Sequence, residues 1–189
     1  MSDDETRRLV NACRPYFRAL VTAALLTGAR YSELAAMTAS DYSRDGGTVS
    51  IGRSKSGKHR HVYLSAEAVE FFEAASVGKN AGDLLFPRHD GRPWISSQQA
   101  RPMRLACEAA NISPVIGFHI LRHTHASRLA IKGVPMAVIA AQLGHTNTTM
   151  TEKHYAHLAP SYIGETVRAA FTSIGIVERT NVRSIVQRG

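Results

Sequence analysis

Cysteine is almost absent from this sequence: Cys13 and Cys107 are the only two. They cannot build a disulfide framework, and they show no metal-ligand spacing, so both read as core thiols of a protein from a reducing compartment. Long apolar runs are missing too. Nothing approaches the roughly 20 consecutive apolar residues that cross a bilayer, and Ser2-Asp3-Asp4-Glu5 is acidic where a secretory signal would be basic. The expectation is a soluble cytoplasmic protein with no membrane partner. Carboxylates are scarce as well: 15 Asp and Glu against 23 Lys and Arg leave a formal charge of +8. That imbalance favours a polyanionic partner, nucleic acid first, because each neutralised phosphate releases condensed counterions. A solvated basic surface gives the same count, so charge alone does not decide.

What is present suits one ordinary core, with 44% hydrophobic residues in 189. The pattern reads as mainly α with a small antiparallel β-hairpin, an α+β fold. Helices are expected over 3–12, over 16–27 with a stop at Gly28, and over 31–37. A hairpin pairs Thr48–Ile51 with His61–Leu64 across a turn carrying Lys55 and Lys58. Ser65 caps a helix reaching about Ala75, and Ser96 or Ser97 one reaching about Ala110 that Pro102 should disturb. Further helices follow over 119–131, from Pro135 to the stop at Gly144, and over 148–156. After Pro160 an amphipathic stretch shows Val167, Ala170, Phe171 and Ile174 on one side. The organisation is therefore one domain over 1–159 and a C-terminal extension over 160–189.

The chemistry concentrates between His119 and Tyr155. His119 and Arg122 sit three apart and share a helix face, His145 follows a glycine stop, and Tyr155 lies in Thr-Glu-Lys-His-Tyr-Ala-His. Arg clamps phosphate oxygens, His moves protons, and Tyr can become a covalent nucleophile. A lone His-x-x-Arg is more often a packed His beside a surface Arg. Arg30 changes the balance, because Leu26-Thr27-Gly28-Ala29-Arg30-Tyr31-Ser32-Glu33 sets a bidentate donor at a helix start with Glu33 placed to hold it. A metal-dependent hydrolase built on His119 and His123 fits poorly, since no Glu follows His119 and carboxylates are sparse nearby. A DNA-binding module without catalysis stays open on composition.

The Arg30 segment resembles the first motif of the tyrosine recombinase, or phage integrase, family. His119-Ile-Leu-Arg122-His123-Thr-His-Ala-Ser127, Leu143-Gly144-His145 and Tyr155 resemble its second motif. The resemblance implies that family's catalytic-domain fold and site-specific recombination of double-stranded DNA. Tyr155 would attack the scissile phosphodiester, Arg30 and Arg122 would stabilise the phosphate charge, and His145 would add a hydrogen bond. His119 would accept the phenol proton, and Glu33 would orient Arg30 and His119 from behind. Lys55 would protonate the leaving 5′ oxygen, with Lys58 as the other turn lysine. The implied reaction uses no metal, cofactor or ATP. The implied assembly is a monomer when free and a homotetramer in the synaptic complex, in a phage or bacterial protein at the nucleoid. The resemblance also implies an N-terminal DNA-clamp domain that this sequence does not show, and a segment after Pro160 that docks on a neighbouring protomer. A topoisomerase-like enzyme that nicks and reseals one duplex is the near alternative.

Overall fold

Helix α1 (Asp3–Ala12) starts where it does because Ser2 and Glu5 cap each other. The Glu5 amide donates to Ser2 Oγ at 3.1 Å, and the Ser2 amide donates to the Glu5 carboxylate at 2.7 Å, so two otherwise orphaned N–H groups are satisfied. A computed structural model describes residues 1–52 and 59–158. Lys55, Lys58 and the segment 160–189 lie outside the described residues. Helix α2 (Pro15–Thr27) opens with proline at its first position and closes on Gly28. Leu20, Val21, Ala23 and Ala24 on it are fully buried, and α2 packs against α6 (Phe118–Ile131) as the centre of the main core. Phe118, at the start of α6, sets its ring 5.9 Å from Phe17 of α2 and 4.9 Å from Tyr31 in the helix that follows. Cys13 and Cys107 are both free and buried in this core.

The sheet has three antiparallel strands in the order β1 (Tyr42–Ser43), β2 (Thr48–Ile51) and β3 (Arg60–Tyr63). Its register sets Val49 opposite Val62 and Ile51 opposite Arg60. The third strand is thus Arg60–Tyr63 rather than the expected His61–Leu64, and β1 is an addition. The alternation places Val62 inward between the exposed His61 and Tyr63, and Arg60 on the same side as Val62. The free edge of β3 is covered by the Gln142 side chain, which accepts from the Tyr63 amide at 3.1 Å and donates to the Tyr63 carbonyl at 2.8 Å. One amide side chain thereby replaces a missing strand and ties α7 (Met136–Leu143) to the sheet.

Two other expectations shift for local reasons. Helix α3 (Tyr31–Ala35) stops short of the expected Met37, because the Met37 carbonyl accepts from the Leu85 amide at 2.9 Å and Thr38 forms a β-bridge to Leu84. Pro102 does not disturb its helix. A 3₁₀ turn covers Ser96–Gln99, and α5 (Ala100–Ala109) begins only afterwards, so Pro102 lies in the first turn, where amides lack intrahelical partners. Helix α4 (Ala66–Ser76) is capped by Ser65 as expected. Short α8 (Thr149–Tyr155) follows α7, and Tyr155 joins Ala126, Ala130, Ile139 and Leu143 in a second, smaller core cluster. Among the described residues, no helix is long and apolar enough to cross a membrane.

Candidate active site

Arg122 is held by the ends of two other helices. Its Nη1 donates to the Gly28 carbonyl and its Nη2 to the Leu143 carbonyl, each at 2.7 Å. Both acceptors lie at helix C-termini that stop on left-handed glycines, Gly28 at φ 64° and Gly144 at φ 72°. The negative ends of the two helix dipoles and their unpaired carbonyls suit a guanidinium. Burial, with Arg30 and Arg60 nearby, pulls Arg122 down to about 10, against opposing help from Glu33 and Tyr155. It stays a cation at neutral pH.

Arg30 caps α3 from the next turn of chain, and Glu33 fastens it twice. The Arg30 amide donates to Glu33 Oε2 at 2.7 Å and its Nη1 donates to Oε1 at 2.9 Å. The rest of the Glu33 carboxylate is taken by Arg60, whose Nη1 and Nη2 donate at 3.0 and 2.8 Å. Glu33 therefore joins Arg30 to Arg60 instead of reaching His119 as expected. Both members of the Arg60–Glu33 pair are enclosed, with side chains 10% and 2% exposed. Burial opposes ionisation of Glu33, but the hydrogen bonds from Arg60 and Arg30 outweigh it and hold the carboxyl below its usual range. Removing one partner of so enclosed a pair costs about 3–5 kcal/mol, because it strands a buried charge.

His145 follows Gly144, its amide donating to the Ala140 carbonyl at 2.9 Å. Its Nδ1 lies 2.8 Å from the fully buried Thr151 hydroxyl. With that hydroxyl donating, the ring carries its proton on Nε2 and can donate it to an anion. Burial, then Arg122 and Arg30, push His145 down to about 4, so it is neutral at neutral pH. Tyr155 is buried to 3% exposure. Its hydroxyl is hydrogen-bonded to Nδ1 of His123, and burial raises its pKa while Arg122 works the other way.

These groups converge on one cleft of about 780 Å³, lined among others by Arg30, His119, Arg122, His145 and Tyr155. A roomier cleft of about 1000 Å³ beside α5, lined by Arg14, Trp94 and Arg101, contains none of them. Size is therefore a poor guide here, and the convergence of cations around a tyrosine marks the site. Lys55 cannot be placed, because it lies outside the described residues. Among the described residues, no group of three His, Cys, Asp or Glu is arranged to hold a metal.

The sequence matches the phage integrase family over residues 1–161. The chain belongs to that family. It is 28% identical over 174 residues to the integrase of Escherichia phage 186, covering 89% of this chain and 46% of that protein. It is 29% identical over 148 residues to the tyrosine recombinase XerD of Halalkalibacterium halodurans, covering 75% and 49%. The solved catalytic domain of bacteriophage HP1 integrase superposes with a TM-score of 0.69 at 29% identity, covering 89% of this chain and 92% of that one. The fold is thus that of a tyrosine recombinase catalytic domain. The chain spans about half the length of the curated relatives it matches.

Three side chains of this candidate site have no role in the phage integrase motifs. Arg60 could have been suspected, since strand alternation puts it on the inward side with Val62. Thr151 shares a helix face with Tyr155, four residues on. His123 shares a face with His119, but its contact with Tyr155 depends on how α6 and α8 pack. His125, also within the second motif, is a packing residue. Its Nδ1 donates to the Leu25 carbonyl at 2.9 Å, its Nε2 is buried without a partner, and burial lowers its pKa.

Proposed function

We propose that this chain is the catalytic part of a site-specific DNA recombinase that works through Tyr155. The observation that carries the reading is the convergence, in one cleft, of a buried tyrosine with Arg30, Arg122, His119 and His145 from separate elements. Tyr155 attacks the scissile phosphodiester, giving a 3′-phosphotyrosyl enzyme and a free 5′-hydroxyl. Arg30 and Arg122 neutralise the non-bridging oxygens, which gain charge as the phosphorus becomes five-coordinate. Their pre-set orientation matters, because the carbonyls and Glu33 that fix them are already in place before DNA arrives. His145, neutral and pinned by Thr151, donates from Nε2 to the same phosphate, and His119 faces it from α6. Lys55 supplies the proton to the leaving oxygen; this role rests on the family resemblance.

The phosphotyrosyl ester preserves the energy of the broken bond, so a 5′-hydroxyl from another duplex can attack it and rejoin strands without ATP. No step calls for a metal or cofactor. Exchange between two duplexes cuts four strands and needs four tyrosines, hence a synaptic homotetramer built from free monomers on double-stranded DNA. A pool of randomised duplexes, each nicked at one position, tests the reading when incubated with the full chain in EDTA. Denaturant-resistant protein–DNA adducts are expected from the wild-type chain and none from Tyr155→Phe. An adduct that survives Tyr155→Phe, or no adduct across the pool, would refute it.

A further inference from the structure

The Tyr155 hydroxyl is hydrogen-bonded to His123, which the family motifs leave without a role. We propose that His123 is the base that takes the phenol proton as Tyr155 attacks, a catalytic role that rests on the recombinase reading above. The hydrogen bond joins His123 Nδ1 to Tyr155 Oη, and the two rings lie 5.7 Å apart. A carbonyl or a carboxylate would also accept from the phenol. An imidazole differs because its proton affinity suits transfer near neutral pH.

Burial keeps Tyr155 a neutral phenol, so attack on phosphorus requires somewhere for the proton to go. His119, the expected acceptor, lines the same cleft, but His123 holds the hydroxyl. The groups facing His123 are His119 and Arg122 from its own helix, and His154 and Tyr155 from α8. None is a carboxylate that would hold a second proton on the ring. Burial first, then His154, His119 and Arg122, lower its pKa and favour the neutral imidazole; with the phenol donating, that ring carries its own proton on Nε2 and a lone pair on Nδ1. His123 is exposed on its other side, so water can relay the proton away.

The step balances. The O–H bond of Tyr155 breaks as N–H forms on His123, Tyr155 Oη bonds to phosphorus, and the P–O5′ bond breaks. A separate acid protonates the 5′ oxygen. In the rejoining direction His123 returns the proton to the departing phenolate. The base is competent only above its own pKa, so cleavage slows as pH falls through that value.

Single-turnover adduct formation on duplexes selected from the nicked pool tests this. His123→Ala and His123→Asn should each slow it by about 100-fold or more; Asn keeps an acceptor near the Nδ1 position but is not basic. The loss should persist on a 5′-bridging phosphorothiolate, whose thiolate leaves without being protonated, and the acidic limb of the rate profile should disappear. A wild-type rate for His123→Asn, or full rescue by the phosphorothiolate, would overturn the base role. In the free chain, ¹³Cζ-tyrosine NMR should show the Tyr155 titration displaced by His123→Asn, and an unchanged titration would count against the contact. A wild-type chain that forms no adduct yet shows that displacement would sink the recombinase reading and the base role with it. An adduct-forming chain whose rate ignores His123 would sink the base role alone.

Discussion

At His145, a single imidazole links the proposed phosphate contact to stability. Burial and the nearby Arg122 and Arg30 take it from an ordinary 6.5 to about 4, so the folded chain binds its proton less readily than the unfolded chain does. Between those values the unfolded state carries more protons, and stability therefore rises with pH. The contribution is complete above about 6.5 and is lost as pH falls toward about 4. His125, lowered by burial, acts in the same direction. Urea midpoints measured across this window should fall with acidification, and His145→Asn should flatten the slope. A slope unchanged in the variant would mean that His145 does not titrate as its surroundings dictate. The same neutrality lets the ring donate from Nε2 to a phosphate without adding a third positive charge beside Arg30 and Arg122.

Helix ends decide where the cations point. Gly28 terminates α2 with φ 64°, a conformation that costs a residue with a Cβ, and an added Cβ would lie 2.7 Å from His125 Cδ2 and 2.9 Å from Leu143 Cδ2. Its carbonyl is also one of the two that anchor Arg122. Gly28→Ala should therefore cost about 1–3 kcal/mol through strain and crowding, read as a lower unfolding midpoint, and should reduce cleavage further by tilting Arg122. Equal stability for Gly28→Ala would remove the argument that this turn is over-determined. Gly144 ends α7 in the same way, with the Arg60 side chain packed where its Cβ would be. The two glycine stops thus place Arg30 and His145 at the start of the segments that follow, while their neighbouring carbonyls hold Arg122 between them. Arg60 on β3 completes the arrangement through Glu33, so the sheet, otherwise small, is tied directly to an arginine of the cleft.

Across the described part of the molecule, the site is assembled from the α2 end, β3, α6, the α7 end and α8, which lie far apart in sequence. The +8 charge is the whole-chain counterpart of that local cationic cleft. Binding to a duplex of arbitrary sequence should be weak, with a dissociation constant on the order of 10⁻⁴–10⁻⁶ M near physiological salt, and should weaken linearly on a log–log plot as salt rises. Fluorescence anisotropy over a salt series checks this, and a flat response would mean that phosphate contacts do not drive association. Residue type and spacing were enough to read most helices from α1 to α8 and the stops at Gly28 and Gly144, while the grouping of Arg30 with His119, Arg122, His145 and Tyr155 came from their resemblance to the recombinase motifs. Helical period, caps and glycine stops are local physics, and the motif residues carry their chemistry with them. The Arg60–Glu33 pair, the Thr151 contact and the His123–Tyr155 hydrogen bond emerged only on packing. Each joins residues through an interface between elements, and the direction of a side chain across such an interface is set by neighbours that chain order does not name. The sequence therefore specified which groups could handle a phosphate, while tertiary packing settled which of them holds the Tyr155 hydroxyl.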